Sequence, residues 1–179
     1  MDTPHSASHR QDLKHLWSLI KDMRFGMLVH RHADGSLHSH PLTTQNRSLD
    51  EGMLYFFLSK PTRVGRCLEL DGDVNVSYAD THKDHYVSIT GHATISQDRD
   101  LKERLFNAMT KAWFPGGVND PNLELVQVKI QHAEFWDIKE SKVTQLAKLA
   151  TAAVTGNPPE MGEHREVHFE TGEAESATR

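Results

Sequence analysis

The sequence has little that would cross-link it, anchor it in a membrane or attract nucleic acid. Its 179 residues contain one cysteine, Cys67, which excludes an intramolecular disulfide and is typical of a reducing compartment. No apolar run approaches the length of a membrane span, and the N-terminus lacks a signal-type apolar core. The net charge of −5 indicates no broad basic face. We therefore predict a cytoplasmic protein with neither a membrane nor a nucleic-acid partner.

Familiar catalytic signatures are also missing. The chain has no GxSxG, GxxxxGK[ST] or HExxH motif and no glycine-rich Rossmann turn. These absences argue against a serine hydrolase, a P-loop enzyme, a zinc protease and a dinucleotide fold of the usual kinds.

The charge is concentrated at the C-terminal end. Residues 156–179 contain six glutamates and two arginines, together with Pro158-Pro159. A segment of this kind buries too little apolar surface to offset its ordering entropy. We predict one domain over residues 1–155 and a flexible acidic tail over 156–179, in which residues 167–169 could add a short edge strand.

Apolar spacing predicts a few helices around many strands. Helical spacing marks residues 13–23, 101–112 and 142–154. Strand patterns cover residues 26–32, 37–44, 53–58, 74–79, 86–95, 123–130 and 134–138. This order favours a mainly β (α+β) fold, a six- to seven-stranded antiparallel β-barrel with flanking helices.

The thirteen histidines raise the question of a metal site. Four of them, His30, His32, His38 and His40, lie on the arms of a predicted hairpin. With Asp34-Gly35 as a two-residue turn, Val29 opposes His40, and the four imidazoles divide between the two faces. We therefore expect no metal site, although a haem, which needs only one axial histidine, stays an alternative.

A candidate phosphate site follows the apolar run at residues 53–58. Hydroxyls at Ser59 and Thr62 and the cations Lys60, Arg63 and Arg66 surround the start of a short predicted helix. Backbone N–H groups at a helix start, with hydroxyls and cations beside them, suit a phosphate. An apolar strand alongside would suit a flat aromatic cofactor with a phosphate tail. The alternative is an ordinary solvated loop and helix start.

Two further features mark places where a ligand could lie. Pro41 within a strand removes a ladder donor, which indicates a sheet edge or a local opening. The string Trp113-Phe114-Pro115-Gly116-Gly117 either caps a core or lies over a planar ligand. Cys67 is on an apolar helix face, so we predict that it is packed rather than nucleophilic.

Taken in order, seven such strings resemble the general stress protein 26 family, in the pyridoxamine 5′-phosphate oxidase-like superfamily of flavin-binding split barrels. The strings are the N-terminal amphipathic helix, residues 34–44, 54–59, 74–80, 87–93, 113–117 and 133–137. The resemblance extends from about residue 10 to residue 156.

The resemblance implies a homodimer with two flavin mononucleotide (FMN) sites at the interface, with FAD as the alternative cofactor. Residues His40, Pro41, Leu42 and Thr43 would line the isoalloxazine edge, largely through their backbone. The ring would be flanked by Phe57, Leu58 and Trp113, and the phosphate approached by Ser59, Thr62 and Arg63. The sequence departs from the family pattern in two places. The family often has arginine where His40 stands, and it often has lysine near the position of Arg63 or Val64.

The resemblance also implies a stress-related, FMN-dependent oxidoreductase in which the flavin carries the chemistry. Oxidation of pyridoxamine phosphate itself is not expected, because the C-terminal segment is acidic and lacks the cations that the substrate phosphate would need. The two alternatives are a non-catalytic flavin reservoir or redox sensor, and a haem-binding split barrel.

Overall fold

The fold is organised by one antiparallel sheet that curls until its two edges meet. The computed structural model describes residues 4–60, 62–137, 142–157 and 163–168. The elements, in chain order, are α1 Pro4–Ile20, β1 Phe25–Arg31, β2 Leu37–Thr43, β3 Met53–Ser59, α2 Arg63–Leu70, β4 Asp73–Asp80, β5 His85–Ser96, α3 Arg99–Leu105, α4 Ala108–Trp113, a 3-10 turn Gly117–Asn119, β6 Leu123–Asp137, α5 Lys142–Thr155 and β7 Glu163–His168. None of these helices is long and apolar enough to cross a membrane.

The strand order explains the split. The sheet runs β2-β1-β4-β5-β6-β3, so β2 and β3 are its two ends. An antiparallel bridge joins Thr44 to Phe56, and the Gln45 N–H donates to the Tyr55 carbonyl at 2.9 Å. Among the described residues, the two edges are therefore joined by an isolated bridge rather than by a continuous ladder. The prediction of a mainly β, antiparallel split barrel with flanking helices is confirmed.

The core fills the inner face of the curled sheet. Alternation along β4 buries Val74, Val76 and Tyr78, and α1 adds apolar side chains such as Leu13 and Leu16. Each such side chain contributes roughly 1.5–3 kcal/mol when it is fully buried. The core fixes which face of each strand points inward, and so which residues can face a ligand.

The β1–β2 hairpin differs from the prediction in its register. The His32 N–H donates to the Ser36 carbonyl and the Gly35 N–H donates to the His32 carbonyl, both at 2.8 Å. Gly35 has φ +84°, and Asp34 accepts from the Ser36 N–H at 2.9 Å. The loop therefore has three residues, a turn closed by a left-handed glycine, rather than two. The predicted pairing was wrong by one residue.

This shift brings the four hairpin histidines to one face. His30 lies opposite His38, and Leu28 lies opposite His40. Directly opposed residues share a face of the sheet, so the imidazoles lie on the inner face with Leu28. The prediction that they divide between two faces is wrong.

Two other predicted elements differ in their bounds. The helix predicted over residues 101–112 is two helices, because Phe106 between them is extended. The side-chain oxygen of Asn107 accepts from the N–H groups of Met109 and Thr110 at 2.9 and 3.0 Å. The asparagine side chain thus starts a new helix. Conversely, the two strands predicted at 123–130 and 134–138 are one strand, β6. A bulge opposite Thr90 and Gly91 bends β6 without ending it.

Part of the acidic tail belongs to the sheet. Strand β7 pairs with the second half of β6, extending the short strand predicted at residues 167–169 toward the N-terminus. Val167 packs on the core, and Arg165 lies 3.6 Å from Asp12 of α1. The flexibility predicted for the rest of the tail concerns residues 158–162 and 169–179, which lie outside the described residues. The division at residue 155 stays a prediction.

Candidate functional site

A cavity of about 430 Å³ lies where the ends of β2 and β3 meet, beneath α4. Its volume is within the range of small-molecule sites. Most of its wall is apolar or aromatic. The lining residues are Arg24, Phe25, Pro41, Leu42, Thr43, Gln45, Phe57, Leu58, Ser59, Met109, Thr110, Trp113 and Phe114.

Seven of the ten predicted site residues line this cavity. They are Pro41, Leu42, Thr43, Phe57, Leu58, Ser59 and Trp113. These residues come from three segments far apart in sequence, which the curl of the sheet brings together. The other three, His40, Thr62 and Arg63, lie outside the cavity wall.

Helix α4 is held over the cavity by Gln45. The Gln45 amide donates to the Thr43 carbonyl at 3.0 Å, and its side-chain oxygen accepts from the Asn107 amide at 2.9 Å. Asn107 caps α4, so one hydrogen-bonded chain connects β2 to the start of that helix. The position of α4 over the cavity therefore depends on Gln45, which lines the cavity, and on Asn107, which does not.

The two aromatic residues at the end of α4, Trp113 and Phe114, have different surroundings. Phe114 is buried, whereas Trp113 is 78% exposed. Residues 113–117 were expected either to cap the core or to lie over a planar ligand, and Phe114 packs in the buried position that caps the core. The indole of Trp113 lies at the cavity, where its open face could contact a planar ligand or another chain.

Sequence reasoning missed several lining residues. Arg24 brings a positive charge to the cavity, with its guanidinium 5.0 Å from the Phe25 ring centroid and 3.8 Å from the Met109 sulfur. Arg24 and Phe25 stand at the start of β1, and only the closure of the sheet brings them next to α4. A cation directly before the first strand of a split barrel is the signal that could have found them.

The predicted phosphate segment forms the start of α2. Thr62 is the N-cap, and its hydroxyl oxygen accepts from the Gly65 N–H at 3.4 Å. The Thr62 N–H donates to the Ser59 carbonyl at 3.1 Å. Because Ser59 lines the cavity, this turn leads directly from the cavity to the first turn of α2. Arg63, the first residue of the helix, is exposed.

A carboxylate already faces the first turn of α2. A Cβ added to Gly65 would lie 2.8 Å from Glu124 Oε2, so this carboxylate approaches the helix backbone closely. Lys60 pairs with the other oxygen of Glu124 at 3.3 Å. The charge of Lys60 is thus engaged, and the attraction of this helix start for a further anion is reduced. Arg63 and Arg66 are exposed, as is Lys60.

A second cavity, about 440 Å³, lies between the 46–51 loop and α3. Its polar groups are engaged with one another. The Asn46 side chain donates to the Met53 carbonyl at 2.7 Å and accepts from the Tyr55 N–H at 2.8 Å. The Tyr55 hydroxyl donates to Glu51 at 2.8 Å, and burial, with Glu51, raises the pKa of Tyr55 to about 12. The polar groups of Asn46, Glu51 and Tyr55 in this cavity are therefore already hydrogen-bonded.

Comparison with known proteins agrees with this architecture. A relative, protein bli-3 of Neurospora crassa, is 26% identical over 168 residues, which cover 88% of this chain and 79% of the relative. A crystal structure of a Jannaschia sp. CCS1 protein assigned as general stress protein 26 superposes with a TM-score of 0.70 at 26% identity, covering 89% of this chain and 99% of that one. The general stress FMN/FAD binding protein of Xanthomonas citri gives 0.64 at 30% identity, covering 74% and 92%.

The family profile matches over most of the chain. The profile described as pyridoxamine 5′-phosphate oxidase like covers residues 11–160, which include the hairpin, the cavity wall and α2. The chain belongs to the pyridoxamine 5′-phosphate oxidase-like family.

Proposed function

We propose that the protein binds FMN in the cavity under α4 and acts as a stress-related flavin-dependent oxidoreductase. The observation that carries this proposal is the convergence of Pro41, Thr43, Phe57, Ser59 and Trp113 around one apolar cavity beside a helix start. The Xanthomonas citri relative, named for FMN or FAD binding, supports the same ligand class.

The residues present fit a flavin. The aromatic and aliphatic side chains of the wall suit a flat apolar ring, and the edge strand β2 offers backbone groups to the polar atoms of that ring. The turn from Ser59 to Thr62 would direct a phosphate tail toward Arg63. Arg63 can provide a bidentate contact where the family often uses lysine.

In this proposal the flavin supplies hydride or electron transfer. The chain's own residues bind and orient it: Gln45 fixes α4, and Trp113 and Phe57 bound the ring. The indole of Trp113 would also restrict the access of water to the cavity. The proposal includes a cytoplasmic location and no activity toward pyridoxamine phosphate.

We further propose that two copies of the chain form a two-fold dimer with both cavities at the interface. Exposed apolar side chains continue outward from the cavity along the outer face of the sheet. They are Phe25, Met27, Tyr86 and Trp136, which are 50%, 40%, 37% and 37% exposed. Such a patch is typical of a protein–protein interface. A stable monomer in light scattering that binds flavin at full strength would overturn this.

The absorbance spectrum of the purified protein tests the cofactor directly. We expect flavin bands and a released cofactor whose mass is that of FMN, whereas the mass of FAD would correct the assignment. A Soret band would support the haem-binding alternative. Neither band, together with no flavin uptake on titration, would overturn the proposal.

The absorbance spectrum does not distinguish catalysis from flavin storage, because a flavin reservoir would use the same binding residues. A separate measurement is needed. We expect a nicotinamide hydride donor to bleach the bound flavin and an electron acceptor to restore its colour over repeated cycles. Bound flavin that is never reduced under these conditions would favour the reservoir.

A further inference from the structure

The inner face of the β1–β2 hairpin holds a cluster of metal-binding side chains beneath α2. The imidazoles of His30 and His32 meet the thiol of Cys67, and one potential ligand atom from each lies within 4.8 Å of the others. His30 is 1% exposed and Cys67 is 7% exposed, while His32 is half-buried. Two of the three side chains are therefore buried, and the third, His32, is partly accessible to solvent.

The burial of His30 is costly as it stands. Within the described part of the chain, neither His30 ring nitrogen makes a hydrogen bond of ordinary geometry. A buried polar group without a partner costs about 1–3 kcal/mol. A ligand that accepts the lone pair of one nitrogen would remove part of this cost, so the orphaned imidazole points to a missing partner of that kind.

The surroundings disfavour the protonated form of the two β1-side imidazoles. Burial, opposed in part by the backbone of Arg31, lowers the pKa of His30, and nearby His40 lowers it further. Burial, followed by His38 and Arg63, lowers the pKa of His32.

Two more histidines border the cluster. His38 stacks on His32 with ring centroids 3.7 Å apart, and His40 stacks on His30 at 5.5 Å. These contacts limit the rotation of the two inner rings. The cluster therefore has a defined geometry that the register of the hairpin creates.

We propose that His30, His32 and Cys67 form a binding site for one thiophilic metal ion, Zn²⁺, with solvent in the remaining coordination position. Two imidazoles and a thiolate are ligands that zinc prefers. Tetrahedral bond lengths place neighbouring ligand atoms roughly 3.5 Å apart, so small side-chain rotations would close the present spacing. Binding releases the Cys67 thiol proton to solvent.

The site is separate from the proposed flavin cavity, because none of its three residues lines that cavity. It does not depend on flavin binding. The link between the two is the start of α2, where Arg63 lies close enough to influence His32.

Cobalt(II) provides the test, because a Co²⁺–thiolate bond gives a charge-transfer band. Cys67 is the sole cysteine, so any such band in the wild-type chain reports this site without a mutation. The full chain as purified is titrated with Co²⁺, and difference spectra against the metal-free protein remove the absorption of any bound chromophore. We expect a band that saturates at one Co²⁺ per chain and disappears when Zn²⁺ is added. A wild-type protein without this band would overturn the proposal.

Variants then assign the ligands. Cys67→Ser should abolish the band, and His32→Gln should weaken Co²⁺ binding by more than the roughly 10- to 100-fold that losing a hydrogen-bond partner of a metal ligand costs. The double variant His132→Gln/His168→Gln is the matched control, because it removes two imidazoles of a second candidate cluster among the described residues, which His132 and His168 form with Glu166. It should leave the band unchanged. Loss of the band in this control, or full affinity in His32→Gln, would overturn the assignment.

Discussion

The two faces of the β1–β2 hairpin serve different chemistry. The outer face presents Phe25, Pro41 and Thr43 to an open, largely apolar cavity. The inner face holds His30 and His40, with α2 packed against β1. Because successive side chains point to opposite faces of the sheet, one hairpin can line two sites. The register of the pairing decides which residues of β2 share a face with which residues of β1.

His40 differs from its neighbours in β2 in what its side chain contacts. Pro41 and Leu42 line the cavity, whereas the His40 ring stacks on His30. A side chain that the family resemblance places beside the flavin thus lies with the imidazole cluster.

The largest effect should come from removing the inner-face packing that both sites share. Leu28 is fully buried between the hairpin and the core, so Leu28→Ala should lower the free energy of unfolding by about 2–5 kcal/mol. Val29→Ala, one residue along and half-buried on the outer face, is the control and should cost less. Denaturant unfolding measures both. Equal losses would contradict the assignment of the two faces.

The next effect concerns the phosphate end of the cavity. Arg63→Ala should weaken FMN binding by about 1.5–3 kcal/mol, the usual range for a hydrogen bond to a charged group. Riboflavin lacks the phosphate, so its affinity should scarcely change. Arg66→Ala removes an exposed charge one turn further along α2 and should have a smaller effect.

Calorimetric titration of Arg63→Ala and Arg66→Ala with both flavins gives the four affinities needed. If Arg63→Ala weakens FMN and riboflavin alike, the phosphate does not lie at the start of α2. If both variants weaken FMN equally, the helix acts through its general positive field rather than through one contact.

Thr62 should affect stability as well as binding, because its hydroxyl caps α2. Thr62→Ala should lower the free energy of unfolding by about 0.5–2 kcal/mol, as loss of a helix cap does. Thr62→Ser keeps the hydroxyl and should retain most of that stability. Thermal unfolding of the two variants is the measurement, and identical losses would show that the cap contributes little.

Trp113 tests the ring end of the same cavity. Trp113→Ala should weaken FMN and riboflavin binding equally, by roughly 0.5–1.5 kcal/mol, because aromatic contact does not depend on the phosphate. The indole is mostly exposed, so the stability of the free protein should change little. A loss confined to FMN would mean that the indole does not contact the ring.

Much of the fold could be predicted, because apolar periodicity marks strands with a buried face. The seven predicted strand regions correspond to the six strands β1 to β6, and Gly156, with φ +75°, follows α5 as expected of a helix stop. The errors came from local side-chain chemistry. Asp34 and Gly35 build a three-residue loop instead of a two-residue turn, and Asn107 divides one predicted helix.

The site was predicted less completely, because it is assembled by closure of the sheet. Residues of the resembling strings, such as Pro41 and Phe57, line the cavity. Arg24 and Gln45 carry no local motif and join the site only through contacts with α4. The cluster of His30, His32 and Cys67 was missed because Cys67 meets the two imidazoles only through the packing of α2 on β1, which no local pattern in the sequence marks.

The smallest expected effect is the sharpest test of the two faces. His40→Gln changes a side chain that stacks on His30, while its neighbour Pro41 lines the cavity. If only the backbone of residue 40 faces the flavin, the affinity for FMN should change by less than about 0.5 kcal/mol, as for substitutions away from specific contacts. Thr43→Val, which replaces a hydroxyl on the cavity wall, is the control and should weaken FMN more. Calorimetry with FMN compares them. A larger loss at His40 than at Thr43 would show that the imidazole turns toward the cofactor, and the hairpin would then present His40 to the cavity rather than to the metal-binding cluster.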